Sequence, residues 1–483
     1  MSVDWKRTIF ICLGLGAFAF FYFAPPFDPA VDPQGNIFEL SREAQMAIGL
    51  FLLAGIWWVF EVIPIGVTSI MIGVTQAAFF IRPAQEAFAA FADSSVLFIL
   101  GSLMLGLAFT KSGLTNRIAF KMLTVVGQNP KKILLGTFVI TAGLTHFMAH
   151  TAVAATMFPV LVIILKMYQD DVTEPSKFGQ ALFIGMAYTA GAGSLATMLG
   201  AARGPVAVSF FGEFTGNEVT FLEYSYAMAP FGWAMVFIIW LLMAFVIFKP
   251  EKNEIEGLKE KAAETYSKLG PLTAKEYFVM FLALSVITVL ALQNFIPALA
   301  ELNRAVPILI ATILMFLTGL FTVEDLEKEV PWNIVLLFAG AMSMGIALWE
   351  TGAAEWMAIK WLAMFDGAPW IVFILAIGFL VIVLTNFIMN VAAIAITLPV
   401  ALVIAGYLGL NPHMILWVSL SAAGLPFLLL IGAAPNAIAY QSRQFTTMKF
   451  FMTGIPFTLI YLAVLVLFTV VIWPIMGINP LLN

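Results

Sequence analysis

The sequence predicts an all-α polytopic membrane protein, with eleven transmembrane helices and two re-entrant hairpins arranged as an inverted-topology repeat. Its composition, the spacing of its apolar runs and a self-similarity between its halves lead to that class. Of 483 residues, 62% are hydrophobic and 11% are charged, against roughly 25% charged in an ordinary soluble domain. A chain this apolar cannot hide its surface from water by folding, and a bilayer removes the difficulty. Forty-five phenylalanines and twelve tryptophans suit lipid-facing and interfacial positions.

The elements follow in order. A membrane-crossing helix needs about 20 mostly apolar residues, and such runs occur near 8–24, 46–63, 65–82, 95–110, 180–209, 227–248, 276–296, 305–321, 332–348, 414–440 and 452–474. The first follows Lys6-Arg7 in the manner of a signal peptide, but it ends in Phe-Ala-Pro-Pro without a small-residue cleavage site, so it is read as a retained helix. Two further stretches, 133–165 and 371–406, are each long enough for two short helices and carry polar and small residues at their centres. A re-entrant hairpin accounts for both, because irregular backbone at membrane depth is tolerated only where protein buries it or it lines a cavity. The domain reading is an N-terminal helix and outer loop at 1–45, a first repeat at 46–248, a cytoplasmic Lys/Glu-rich linker at 249–275 and a second repeat at 276–483. With the N-terminus inside, eighteen Lys and Arg residues fall in inner segments. Only Arg42, Arg82 and Arg304 fall outside, while Arg203 and Lys360 lie within or at the end of a span. That asymmetry satisfies the positive-inside rule. It places the protein in a cell (inner) membrane with a cytoplasmic N-terminus, an external C-terminus and hairpins opening to opposite sides.

The halves match at nearly constant offset. Gly101, Gly106 and Gly113 recur as Gly340, Gly345 and Gly352; Thr145, Phe147 and Pro159 recur as Thr385, Phe387 and Pro399; Gly200-Ala201-Ala202 recurs as Gly432-Ala433-Ala434. Three blocks in the same order argue against coincidence. Inverted repeats with interrupted helices are the architecture of secondary transporters, which bind substrate near the midplane where the repeats meet. Other classes lack their signatures. Cys12 is the only cysteine and the net charge of −5 includes no basic block, so neither a cysteine metal site nor nucleic-acid binding is indicated. No GxxxxGK[ST], HExxH or serine-triad pattern occurs; the chain is read as a non-enzyme without a cofactor.

The segments "FTVEDLEKEVPWNIVLLFAGAMSMGIALWETG" at 321–352 and "FADSSVLFILGSLMLGLAFTKSGLTNRIA" at 91–119 resemble the divalent anion:sodium symporter family, whose members carry dicarboxylates, citrate or sulfate. The resemblance covers essentially the whole chain. It implies a homodimer, an elevator-like motion, bound sodium and a small anionic substrate. The family's Ser-Asn-Thr hairpin tips appear here as Ala149-His150-Thr151 and Met389-Asn390-Val391. Its Thr-Pro-Pro-Asn breaks appear as Ala201-Ala202-Arg203-Gly204 and Ala433-Ala434-Pro435-Asn436. Carried over on those positions, substrate contacts fall on His150, Thr151, Arg203, Met389, Asn390, Val391, Pro435 and Asn436. Cation contacts fall on Thr145, Ala149, Gly200, Thr385, Asn390 and Gly432.

The residues themselves sharpen this. Hard cations want several oxygens, and Ala149 and His150 remove two side-chain oxygens from the first position, whereas Thr385 and Asn390 remain at the second. His150 brings a group that titrates near neutrality. His146 stands one helical turn earlier and reads as a hydrogen-bonded structural residue. Arg203, if it points inward, supplies a fixed positive charge suited to carboxylate, sulfonate or phosphate. If it points outward, it snorkels to the interface. Met389 and Val391 make the other end of the site partly apolar, so a ligand with one strongly anionic end, or one compact oxyanion, is expected. The expected function is cation-coupled transport of small anions. A sodium-independent exchanger or a proton-coupled carrier using His150 and Arg203 stands as the alternative; an anion channel and an intramembrane enzyme are further classes.

Overall fold

The computed structural model describes residues 5–31, 36–362 and 368–482. Of the expected N-terminal helix and outer loop, residues 1–4 and 32–35 lie outside the described residues, as do 363–367 and 483 of the second half.

Helix α1 (Trp5–Phe23) packs along α2 (Arg42–Val59), whose start is fixed by the Ser41 hydroxyl accepting the Ala44 N–H. Between them, Ala30–Val31 and Ile37–Phe38 pair as a two-residue antiparallel ladder. Helix α3 (Ile65–Ala78) follows, then α4 (Ser94–Lys111), capped by Asp93, and α5 (Leu114–Val126). A helix–turn–helix pair comes next: α6 (Pro130–Leu144), capped by Asn129, and α7 (His150–Tyr168). The apolar run expected at 180–209 is not one helix. It breaks into α8 (Lys177–Gly193) and α9 (Arg203–Thr215), and α10 (Phe221–Leu242) ends in a π-helical turn at Met243–Ile247.

The linker at 249–275 carries the short polar helix α11 (Leu258–Lys268), which lies on α5. Helices α12 (Ala274–Leu292), α13 (Ala305–Leu317), α14 (Trp332–Glu350) and α15 (Ala353–Leu362) follow. The second helix–turn–helix pair is α16 (Trp370–Phe387) with α17 (Asn390–Tyr407). The run at 414–440 breaks like its counterpart, into α18 (Pro412–Ala423) and α19 (Ala434–Tyr440). Helix α20 (Thr447–Leu467) again ends in a π-helical turn, at Phe468–Ile472.

The same series of elements therefore occurs twice. One detail explains a conserved offset between the halves. Gly113 at φ +84° and Gly352 at φ +77° turn α4 into α5 and α14 into α15, a left-handed conformation costly for any other residue. Proline recurs inside the second arm of each pair, at Pro159 and Pro399, where each removes a helical donor.

Eight helices among the described residues are long and apolar enough to cross a bilayer. Five lie in expected spans, and three (His150–Tyr168, Trp370–Phe387 and Asn390–Tyr407) lie in the stretches expected to be hairpins. The core is one contiguous apolar cluster running through both halves. Some of its polar inclusions join elements: Gln76 donates to the Ser343 hydroxyl at 2.9 Å, linking α3 to α14. Arg117 on α5 meets Glu276 on α12 at 2.5 and 3.1 Å and also donates to the carbonyls of Leu269, Gly270 and Pro271.

Candidate functional site

Four helices begin at one cavity of about 510 Å³: α7 at His150, α9 at Arg203, α17 at Asn390 and α19 at Ala434. Each is preceded by a residue that cannot cap it, namely Ala149, Ala202, Met389 and Ala433. Away from the cavity, Ser41, Asp93, Asn129, Ser176, Thr220, Thr273, Asn411 and Thr446 each accept a hydrogen bond from the helix they precede. An uncapped start leaves backbone N–H groups without an intrahelical partner, and the macrodipole puts about half a positive charge there. The cavity floor is thus built of helix ends that favour an anion.

The opposite wall comes from Leu103, Gly106 and Leu107 of α4 and from Ile334 and Phe338 of α14, with the exposed Glu329 at one margin. Most of the lining is aliphatic. The volume falls within the range of roughly 300–1,000 Å³ usual for small-molecule sites.

Two glycines allow the tips to seat. A Cβ on Gly200 would stand 2.5 Å from the Thr145 carbonyl oxygen, and one on Gly432 would stand 2.8 Å from that of Thr385. Each tip therefore packs its backbone directly on the break of the neighbouring helix in its own half. On the first side the contact is closed by the His150 N–H donating to the Gly200 carbonyl at 3.0 Å.

The expected site residues separate into two groups. His150, Thr151, Arg203, Met389, Asn390, Val391, Ala149 and Gly432 line the cavity. Pro435 and Asn436, expected at the substrate, do not. The Asn436 amide instead donates to the carbonyls of Pro426 and Leu429, holding the second break in shape. Thr145, Gly200 and Thr385 lie behind the lining: the Thr145 hydroxyl donates to the Ala142 carbonyl at 2.6 Å and that of Thr385 to Ala423 at 3.2 Å. His146 accepts a hydrogen bond from the Trp233 indole N–H at 3.2 Å, in keeping with the structural reading of this residue.

Arg203 settles its own two readings. It is 1% exposed, and its Nη2 donates to the Ser194 hydroxyl at 2.7 Å, so it does not snorkel outward. Nε and Nη1 are buried without a protein partner, and the residue lines the cavity. Burying donors of a charged group unpaired is expensive. Sequence reasoning missed Ser194, whose separation of nine residues across a helix break leaves no periodic signal. It also left Asn386 open; the structure has its Oδ1 accepting the N–H groups of Leu428 and Leu429 at 2.8 and 3.0 Å.

Interrupted helices meeting at a largely apolar cavity that holds one buried guanidinium, in a multi-pass apolar bundle, define the architecture of a membrane transporter. The model of the family described as "Sodium:sulfate symporter transmembrane region" matches residues 33–479. The chain belongs to that family, the divalent anion:sodium symporters, and is a multi-pass membrane protein. Similar curated proteins include the sodium-dependent dicarboxylate transporter SdcS of Staphylococcus saprophyticus, 24% identical over 463 residues, covering 91% of this chain and 88% of the relative. SdcS of Staphylococcus aureus strain bovine RF122 is 23% identical over 455 residues, covering 90% and 87%. Among solved structures, the Alcanivorax borkumensis YdaH transporter superposes with a TM-score of 0.60 at 14% identity, covering 98% of this chain and 99% of that one. Neisseria gonorrhoeae MtrF, described with a class of antimetabolite efflux pumps, gives 0.57 at 14% identity, covering 96% and 94%. At that identity the likeness concerns the fold.

Proposed function

We propose that the protein is a secondary active carrier of small anions bearing one strongly anionic group, with the free edge of Arg203 as the anchor for that group. The observation that carries the reading is the buried guanidinium with two unpartnered donors at a cavity floored by uncapped helix starts. The remaining wall is mostly aliphatic, and among the described residues Arg203 is the only Lys or Arg lining it, so a second carboxylate buried there would lack a counter-charge. A monocarboxylate, a sulfonate or one compact oxyanion fits; the relatives' dicarboxylates fit less well. Asn390 at the second tip is a polar contact for the far end of the ligand, and Thr385, Asn390 and Gly432 surround the better-equipped cation position.

The same reading takes the two helix–turn–helix pairs as re-entrant hairpins and the remainder as eleven spans, in inverted repeats divided by the 249–275 linker. With the N-terminus taken as cytoplasmic, the segment that carries Glu329 is cytoplasmic too, and this reading has the cavity open to that side. A second cavity of about 660 Å³, lined by Asp93, Glu213, Glu218 and Arg304, sits at the other end of α4 and α9. Openings at both ends of one helix pair suit alternating access, with the hairpins and broken helices moving as a body against α4 and α14 in a homodimer. A channel reading is weaker, because it needs a continuous pore, whereas the two cavities share no lining residue among those described.

The test is thermal unfolding of the purified full-length protein with succinate, succinamate, butyrate, ethanesulfonate or sulfate, with and without sodium and at two pH values. A ligand of the native state raises Tm by mass action. Succinamate and the monovalent anions should stabilise at least as well as succinate, and Arg203→Gln should lose the response. Strict dependence on two carboxylates refutes the single-headed substrate.

A further inference from the structure

Arg203 occupies an unfavourable place on its own helix. It is the first residue of α9, where the macrodipole repels a cation. The side chain turns back, and the atoms it reaches explain why the position is tolerated. Its Nη2 lies 2.7 Å from the hydroxyl of Ser194, the residue that ends α8, and 3.5 Å from the Gly191 carbonyl. A Cβ on Gly424, which ends α18, would stand only 2.8 Å from the same nitrogen. The two helix ends touch as well, since a Cβ on Gly191 would meet the Gly424 carbonyl oxygen at 2.7 Å. The C-termini of the two broken helices, one from each half, therefore converge on one guanidinium.

Each helix C-terminus carries about half a negative charge, so the pair is matched to about one positive charge. No carboxylate among the described residues forms an ion pair with Arg203. In carriers built from interrupted helices, such C-terminal ends and unwound carbonyls hold the coupling ion. We infer that the Arg203 guanidinium is a tethered cation standing in for one coupling ion, so that anion binding draws at most one dissolved cation, at the second tip. The inference rests on the anion-carrier reading above and adds the coupling to it.

The oxygens at the first tip agree. The Gly200 carbonyl is already engaged by the His150 N–H, the Thr145 hydroxyl is turned onto Ala142, and Ala149 has no side-chain oxygen to offer. At the second tip Asn390 and Gly432 still face the cavity. One edge of the guanidinium answers the helix ends and the other is free for the substrate. A dissolved ion bridging the same two partners would be redundant.

The experiment measures the apparent affinity of the full-length protein for whichever of succinamate, butyrate, ethanesulfonate or sulfate stabilises it. Sodium is varied against N-methylglucamine at constant ionic strength. The logarithm of affinity should rise with the logarithm of sodium concentration with a slope of about one or less. In Arg203→Gln, affinity should fall about tenfold or more at every sodium concentration, from loss of a charge-assisted contact, and the residual binding should depend more steeply on sodium. Arg203→Lys, which keeps the charge, should retain the shallow slope and serves if the glutamine variant does not fold. A wild-type slope of two, or variants with unchanged affinity and slope, overturns the tethered cation while leaving the anion carrier standing. Absence of any anion response under every cation removes both.

Discussion

Substituting Gly200 by alanine isolates the seating of the first hairpin tip. The added Cβ would lie 2.5 Å from the Thr145 carbonyl oxygen and 2.7 Å from both the Cα and the carbonyl oxygen of Ser194. All three are backbone atoms that no rotamer change can move. Relief requires the tip and the break to separate by several tenths of an ångström, which strains the His150-to-Gly200 hydrogen bond. Overpacking of this kind costs about 1–3 kcal/mol. At about 2.1 cal/mol/K of unfolding entropy per residue, a chain of 483 residues loses only about 1 °C of Tm per kcal/mol, so the loss is about 1–3 °C. The effect on binding should be far larger, because the same displacement moves His150 and Thr151 at the cavity and disturbs Ser194, which holds Arg203. The control is Gly185→Ala, whose Cβ would collide with the buried Phe138 ring at 2.0 Å, between α6 and α8 and away from the cavity. Both variants should lose thermal stability, measured by scanning fluorimetry in detergent, but only Gly200→Ala should lose the anion-induced rise in Tm. Equal anion responses in the two variants refute the claim that tip seating sets the site.

Arg117→Ala should lower Tm by about 3–5 °C, because it leaves Glu276, 3% exposed, as an uncompensated buried carboxylate worth about 3–5 kcal/mol; amide exchange should also quicken around 269–271, whose carbonyls lose their donor. Hydrogen bonds from Lys111 and from Thr322 hold Asp325 at a pKa of about 2, below the 3.8 usual for an aspartate. Its contribution is therefore complete above pH 3.8 and lost as pH falls through about 2. Asp325→Asn should be less stable than wild type at neutral pH, and the two should converge between those limits; a gap that persists at pH 2 contradicts the assignment.

Much of the scaffold was legible because its signals are local. Apolar runs of the right length mark most helices, and the glycines at 113 and 352 declared themselves by recurrence before their left-handed turns were seen. The stretches at 133–165 and 371–406 lie close to the helix–turn–helix pairs, since Thr145, His146 and Asn386 interrupt otherwise aliphatic sequence. The breaks at 194–202 and 424–433 were harder. They are rich in Ala, Gly, Leu and Met, so hydropathy does not dip where the helix stops. Arg203 could be singled out as a charge inside a span, but its direction depended on Ser194 and Gly424, which no periodicity connects to it. Asn436 shows the opposite failure: its motif match was real, yet the amide serves the carbonyls of the break and not the cavity.

The missing caps give the site a logic that individual residues do not. Ser, Thr, Asp or Asn at a helix start consumes the first N–H groups, and this chain places such residues at several helices away from the cavity, although α3, α5, α11, α13 and α16 also start without a side-chain cap. At the four starts that meet the cavity it places Ala or Met, so no side chain takes up the first N–H groups there, although the His150 N–H goes to the Gly200 carbonyl and Pro435 has none. The helices that precede the two breaks end at the opposite pole, and there Arg203 is found. Positive helix ends toward the cavity and negative ends toward the guanidinium form one arrangement, made possible because each broken helix supplies both poles within a few residues. An acidic side chain introduced at a free start tests that arrangement. Ala202→Asp would cap α9 and pair with Arg203 at once, which should raise Tm and abolish the anion response together. A variant that gained stability yet still bound the anion would show that the free helix starts are not the binding surface.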